Sequence, residues 1–176
     1  MRGYLNLVIL GYLPWLLVEQ LKDYFSPIVA VLAPLIIVMP FIFRAIKQQD
    51  FISLLFISGF IVYAINLCYP LTIFTIYFKN ILLIVGLTAM FSVILEKPFT
   101  IIYAKETVSP DKWNHPIFIK INTIISLVWS AVFICEYLFK LLNLPYYIVL
   151  NTLLIIFAAV FSNKYPDYYK NRILLK

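Results

Sequence analysis

The chain has 176 residues, of which 64% are hydrophobic and only 12% charged, where soluble domains carry roughly 45–50% and about 25%. A water-soluble fold of this size has too little interior to hide that much apolar surface, so the composition excludes an ordinary soluble domain and implies a membrane protein. The net charge of +6 does not point to nucleic acid, because the basic residues sit singly at the ends of apolar segments and form no patch.

Residues 3–18 form the first apolar run, interrupted by Pro14. It is short of the ~20 residues that carry an α-helix across about 30 Å of hydrocarbon, and it fits a full crossing, a re-entrant hairpin or an interfacial helix. Met1-Arg2-Gly3 has the charge of a signal peptide, but Glu19-Gln20 follows in place of a small-residue cleavage site, so the segment is expected to be retained. After a polar turn with Glu19, Lys22 and Asp23 comes the second run, 24–43, with Pro27, Pro34 and Pro40. A proline inside a membrane helix frees a carbonyl and permits a kink, so this is expected to be the least regular helix.

Arg44 to Asp50 is a short basic loop, and 51–69 is an uninterrupted span with Ser58-Gly59 at its middle. Pro70 opens a turn region, and the fourth run, 80–95, carries Gly86, Ala89 and Ser92 as small positions. Helices in lipid associate by close approach at such residues, which places them against partner helices.

The one long polar interruption is 96–116, in which Glu96, Glu106 and Asp111 balance Lys97, Lys105 and Lys112. Its first half mixes Phe99, Ile102 and Tyr103 with Lys105 and Glu106, and suits a helix in the headgroup layer or a solvated loop. Ser109-Pro110 reads as a helix cap with proline at the first helical position, and Pro116 can open the next helix the same way. The fifth run is 117–139 and the sixth 145–163, followed by a basic, tyrosine-rich tail.

None of these runs alternates as a membrane β-barrel requires, and a long apolar run in lipid bonds its own backbone only as a helix. The fold expected is all-α: one integral membrane domain over 1–176, a helical bundle of five or six spans, the number depending on residues 3–18. Lysine and arginine counts orient it. With 96–116 in the cytoplasm, that side holds Arg2, Arg44, Lys47, Lys97, Lys105, Lys112, Lys120, Lys164, Lys170, Arg172 and Lys176, against Lys22, Lys79 and Lys140 outside. The C-terminus is then cytoplasmic. Tyr69, Tyr77, Tyr137, Tyr146 and Tyr147 line the outer interface and Tyr165, Tyr168 and Tyr169 the inner one.

Chemistry has few footholds. Positions three and four apart share a helix face, so Asn122, Ser126, Trp129, Phe133 and Glu136 form a polar intramembrane stripe ending near Lys140. An ionisable residue in a span suggests function, but Lys140 at i+4 offers Glu136 an interfacial partner, and the stripe serves equally as a packing seam. His115 is the only histidine, so one chain cannot supply two axial histidines to a haem; no cofactor or metal is expected. Cys68 and Cys135 lack ligand spacing and read as small buried hydrophobes, a disulfide being the lesser alternative. No catalytic motif appears.

Four features together resemble the intracellular septation protein A family of small bacterial inner-membrane proteins. Leu13-Pro14 precedes a polar turn and second span; a basic loop runs from Arg44 to Asp50; Lys97-Pro98 closes the fourth run; and a polar loop with Trp113 leads into Asn122 and Val128-Trp129-Ser130-Ala131-Val132-Phe133. The stretch Phe99 to Glu106 departs from the family pattern. The resemblance implies a non-enzymatic part in envelope maintenance and cell division at the bacterial inner membrane, through contacts with other inner-membrane proteins, and it supplies no catalytic residues. The partners expected are the lipid bilayer, proteins of the envelope or division machinery, and a second copy of the chain. The alternative is a small transporter or channel subunit with the polar stripe of the fifth span as its path, and a second rival is a lipid-directed enzyme gathering Lys105, Glu106, Asp111 and His115 in one polar cavity.

Overall fold

A computed structural model describes Leu17, Leu21 and residues 24–48, 51–69, 72–105 and 108–174. Every regular element among them is helical: α1 (Pro27–Gln48), α2 (Phe51–Cys68), α3 (Thr72–Ile94), the single turn α4 (Ile101–Ala104), a 3-10 turn (Pro110–Lys112), α5 (Pro116–Leu141) and α6 (Tyr147–Leu174). The first apolar run lies outside the described residues apart from Leu17. The chain divides into two compact units, with the division inside α3 between Ile81 and Leu82.

In the first unit α1 packs on α2, burying Ala30 and Pro34 of α1 and Ile52, Ile57, Phe60 and Tyr63 of α2. Pro34 and Pro40 lie within α1 and cannot donate to the carbonyls of Ala30 and Ile36, four residues before them.

The second unit is built around α5. Pro116 does open this helix, with His115 as its N-cap: the ring Nδ1 accepts from the Ile117 amide at 3.2 Å. Ser109 precedes the 3-10 turn with Pro110 in first position, and the Ser109 hydroxyl holds the Asp111 carboxyl below its ordinary pKa. That small bias is present at neutral pH and disappears as acid protonates the carboxylate.

Both α3 and α5 end in the same way. The Lys97 amide donates to Ser92 O and the Glu96 amide to Val93 O, with Glu96 left-handed at φ 56°; the Leu144 amide donates to Phe139 O and the Asn143 amide to Lys140 O, with Asn143 at φ 47°. Each is a Schellman stop, and a proline (Pro98, Pro145) follows where the helix cannot continue. The second stop turns α5 back so that α6 packs along it.

Two helices among the described residues are long and apolar enough to cross a membrane, Pro116–Leu141 and Tyr147–Arg172; Asn80–Ile94 is apolar but shorter. Of the apolar stretch of α5, 44% is buried within the protein, against 11% for α6. Of these two helices α5 is therefore the more interior, and α6 turns Leu153, Ile156, Phe157 and Val160 outward.

Four elements differ from their sequence boundaries. α1 continues to Gln48, so most of the Arg44–Asp50 stretch expected to be a loop is helical, because its polar residues lower the hydropathy without interrupting the helical backbone. α3 begins at Thr72, eight residues before the apolar run at 80, because helical backbone tolerates the polar Lys79-Asn80 pair that lowers the hydropathy; the Asn80 side chain donates to Ile76 O four residues back. α6 runs through the polar tail to Leu174 with Pro166 inside it. The segment after Pro98 is folded against the protein and is not a solvated loop. Phe99, Thr100, Tyr103 and Ala104 are buried, and α4 packs on α5.

At Gly86 α3 comes close against α5. A Cβ there would lie 2.8 Å from Ile134 Cγ1 and 3.3 Å from both the Ile134 backbone nitrogen and Phe133 Cβ. Gly86→Ala is expected to destabilise the fold by about 1–3 kcal/mol through overpacking, and Ile134→Ala in the same chain should recover part of that loss although it is destabilising alone. Thermal unfolding of the four chains in detergent measures the coupling.

Candidate functional site

The buried face of α5 carries the whole sequence-derived stripe. Asn122, Ser126, Trp129, Phe133 and Glu136 are each at most 2% exposed, as their i, i+3, i+4 spacing places them on the side that meets α3, the 98–104 segment and α6.

At the N-terminal end of the stripe, Thr100 reaches in from the segment after Pro98. Its hydroxyl donates to the Asn122 backbone oxygen at 2.9 Å and lies 2.9 Å from the Ser126 hydroxyl, while its amide donates to Ser126 Oγ at 3.3 Å. Phe99 N donates to Ser92 Oγ at 3.2 Å and ties the same segment to the end of α3. One turn further along α5, Ser130 Oγ donates to Gly86 O at 2.8 Å. On the α6 side, Trp129 Nε1 donates to Ser162 Oγ at 3.0 Å, and Ser162 in turn donates to Ala158 O at 2.7 Å. The Trp129 and Phe133 rings lie 5.7 Å apart between centroids.

These contacts join Asn122, Ser126 and Trp129 to other segments through hydrogen bonds. Glu136 is buried beyond Phe133 and Lys140 is exposed. The stripe missed Thr100, Ser130 and Ser162. Thr100 carried a signal in its apolar neighbours, Phe99 before it and Ile101-Ile102-Tyr103 after it; nothing in the sequence distinguished Ser130 or Ser162 from other serines in apolar runs.

A cleft of about 450 Å³ opens where the start of α5 meets the far part of α6. Its walls include Ala104, Val108, Ile117, Phe118 and Ile121, with Pro166 from α6. Lys112, His115 and Lys170 line it with exposed side chains, and Asn122 contributes to the wall. The Asn122 amide donates to Phe118 O at 2.8 Å, but its Oδ1 is buried with no hydrogen-bond partner. Around the cleft, Lys105 sits 4.8 Å above the Trp113 ring, whose Nε1 donates to Val108 O at 2.9 Å, and Lys120 lies 5.9 Å from the Tyr169 ring. Phe161 and Tyr165 stack at 4.8 Å, and Tyr165 also neighbours Tyr168 and Tyr169.

This cleft is not the polar cavity of the lipid-directed enzyme. Neither Lys105 nor Asp111 lines it, Glu106 lies outside the described residues, and no acidic side chain is among its described lining residues. Nor does any group of three or more His, Cys, Asp or Glu among the described residues have a metal-binding arrangement. Cys135 is a free thiol, half-buried where the sequence predicts full burial, because it lies off the buried face of α5.

No protein-family model matches the chain, and no curated protein and no solved structure matches it either.

Thr100→Val keeps the shape of the side chain and removes its hydroxyl. It is expected to cost about 1–3 kcal/mol, since the Ser126 hydroxyl and Asn122 carbonyl lose a buried partner. The double variant Thr100→Val, Ser126→Ala should cost less than the sum of the two single changes, and hydrogen exchange at 98–105 should quicken in Thr100→Val.

Proposed function

We propose that the chain is a polytopic protein of a bacterial cytoplasmic membrane, crossing it five or six times with 96–116 and the C-terminus inside. Its role is non-enzymatic: a structural or interaction part in envelope maintenance or septation, in contact with lipid and with other inner-membrane proteins. The observation that carries this reading is the use made of the polar side chains on α5. Thr100–Ser126 joins the segment after Pro98 to α5, and Ser130–Gly86 and Trp129–Ser162 join helix to helix, which is what a packing seam does and what a conduction path, needing water along it, does not. The outward apolar face of α6 supplies surface for lipid or for a neighbouring membrane protein, and the likeness of Lys97-Pro98 and the Trp129 segment to the septation protein A family points to the same role.

One observation favours a second reading. Glu136 is 1% exposed on a helix long enough to cross the bilayer, and a buried intramembrane carboxylate is a feature of proton-coupled transport. Glu136→Gln separates the two. For a scaffold, recovery of division or elongation proteins with the full chain in mild detergent is unchanged by the substitution, and vesicles containing the chain show no proton-coupled flux. A flux that the substitution abolishes establishes the transporter.

Threading is tested by single cysteines in a chain with Cys68 and Cys135 replaced by serine. Leu142→Cys, in the hairpin between α5 and α6, should react with an impermeant maleimide on intact cells, whereas Asn114→Cys should react only after permeabilisation. The reverse pattern inverts the topology.

A further inference from the structure

The cleft at the N-terminal end of α5 combines two chemistries that rarely share a small cavity. Its walls are apolar, with Ile117, Phe118 and Ile121 along one helix, while Lys112 and Lys170 bring two ammonium groups from different segments of the chain. Lys112 has Asp111 beside it in the chain as an electrostatic neighbour, but Asp111 does not line the cleft; Lys105 and Lys120 lie instead against Trp113 and Tyr169. The volume of about 450 Å³ falls inside the roughly 300–1,000 Å³ typical of small-molecule sites. Its place in the fold narrows the occupant further. The cleft sits where the apolar length of α5 begins and where α6 passes into its lysine- and tyrosine-bearing end, the level at which phosphate headgroups meet acyl chains if these helices cross the bilayer.

We propose that this cleft binds an anionic phospholipid, its phosphate held by Lys112 and Lys170 and the upper part of an acyl chain laid over Ile117, Phe118 and Ile121. The inference rests on the membrane reading above and adds a ligand class to it. A purely aqueous anion leaves the apolar walls uncovered, and a neutral hydrocarbon leaves the two ammonium groups unmet inside the cleft, since Asp111, the acidic neighbour of Lys112, is not among its lining residues; an anionic amphiphile answers both. Asn122 adds a third element, because its buried Oδ1 lacks a donor and a headgroup hydroxyl is a donor of the kind it lacks. A phosphoglycerol headgroup carries such hydroxyls beside its phosphate.

The test uses the full chain in detergent, exposed to mixed micelles and analysed by native mass spectrometry. The probes are phosphatidylglycerol, phosphatidylcholine with the same acyl chains, and inorganic phosphate. Phosphatidylglycerol should be retained about tenfold better than phosphatidylcholine, and inorganic phosphate should neither be retained nor compete. Lys112→Gln with Lys170→Gln should reduce phosphatidylglycerol to the phosphatidylcholine level. Lys97→Gln with Lys164→Gln removes the same charge away from the cleft and should leave the preference intact, and Ile121→Trp, which fills the cleft, should lower retention of both lipids. Equal retention of the two lipids, a preference that survives loss of Lys112 and Lys170, or a preference lost equally with Lys97 and Lys164 overturns the proposal. Retention of inorganic phosphate alone overturns the lipid as its source. A chain that stays in solution without detergent overturns the membrane reading instead, so the two failures are distinct.

Discussion

Polar side chains on the buried face of α5 find their partners elsewhere in the protein, and that requirement sets the arrangement of the second unit. A buried hydroxyl or indole N–H without a partner costs about 1–3 kcal/mol, and a bilayer supplies no water in compensation. Each bond reaches a different piece of chain: Ser130 to α3 at Gly86, Ser126 to Thr100, and Trp129 to α6 at Ser162. Apolar contact alone lets one helix slide along another at little cost, particularly among lipid tails that are as apolar as the helices. Three directional bonds at successive heights on α5 fix the register that such contact leaves open. Gly86 belongs to the same device, since only a residue without a side chain lets the α3 backbone come close enough for Ser130 to reach its carbonyl.

The partners arrive where they do because α3 and α5 both stop abruptly. Asn143 takes the left-handed conformation that its short polar side chain tolerates well. Glu96 takes it with less natural ease and is held by the Lys97–Ser92 backbone bond. In each case proline forbids another helical turn. After Glu96 the chain doubles back with Thr100 against α5, and after Asn143 it returns as α6 along the same helix. The polar interruption at 96–116 thus has two characters, with its first part folded into the protein and Ser109 to Asn114 forming a turn that leads to the His115 cap of α5.

How much of this was legible in the sequence follows from what hydropathy measures. Long apolar runs announced helices, and Pro116 announced the start of α5, because composition and proline act locally. The i, i+3, i+4 spacing from Asn122 to Glu136 identified the buried face of α5 for the same reason. Hydropathy failed at helix ends, where it reports the surrounding solvent and not the backbone: Lys79-Asn80 hid the first turns of α3, and the polar residues after Asn163 hid the last turns of α6. It failed again at Thr100, whose burial depends on Ser126, 26 residues away. The cleft escaped for a related reason, since Lys112 and Lys170 stand far apart in the chain and only the return of α6 brings them to one place.

α6 has 28 residues, which at about 1.5 Å each makes a rod longer than the ~30 Å of hydrocarbon it is proposed to cross. With Tyr147 at one face of the bilayer, its final turns stand clear of the other. Lys170 and Arg172 are then carried on helix that continues past Pro166. The helical end at Leu174 then stands off from the lipid surface.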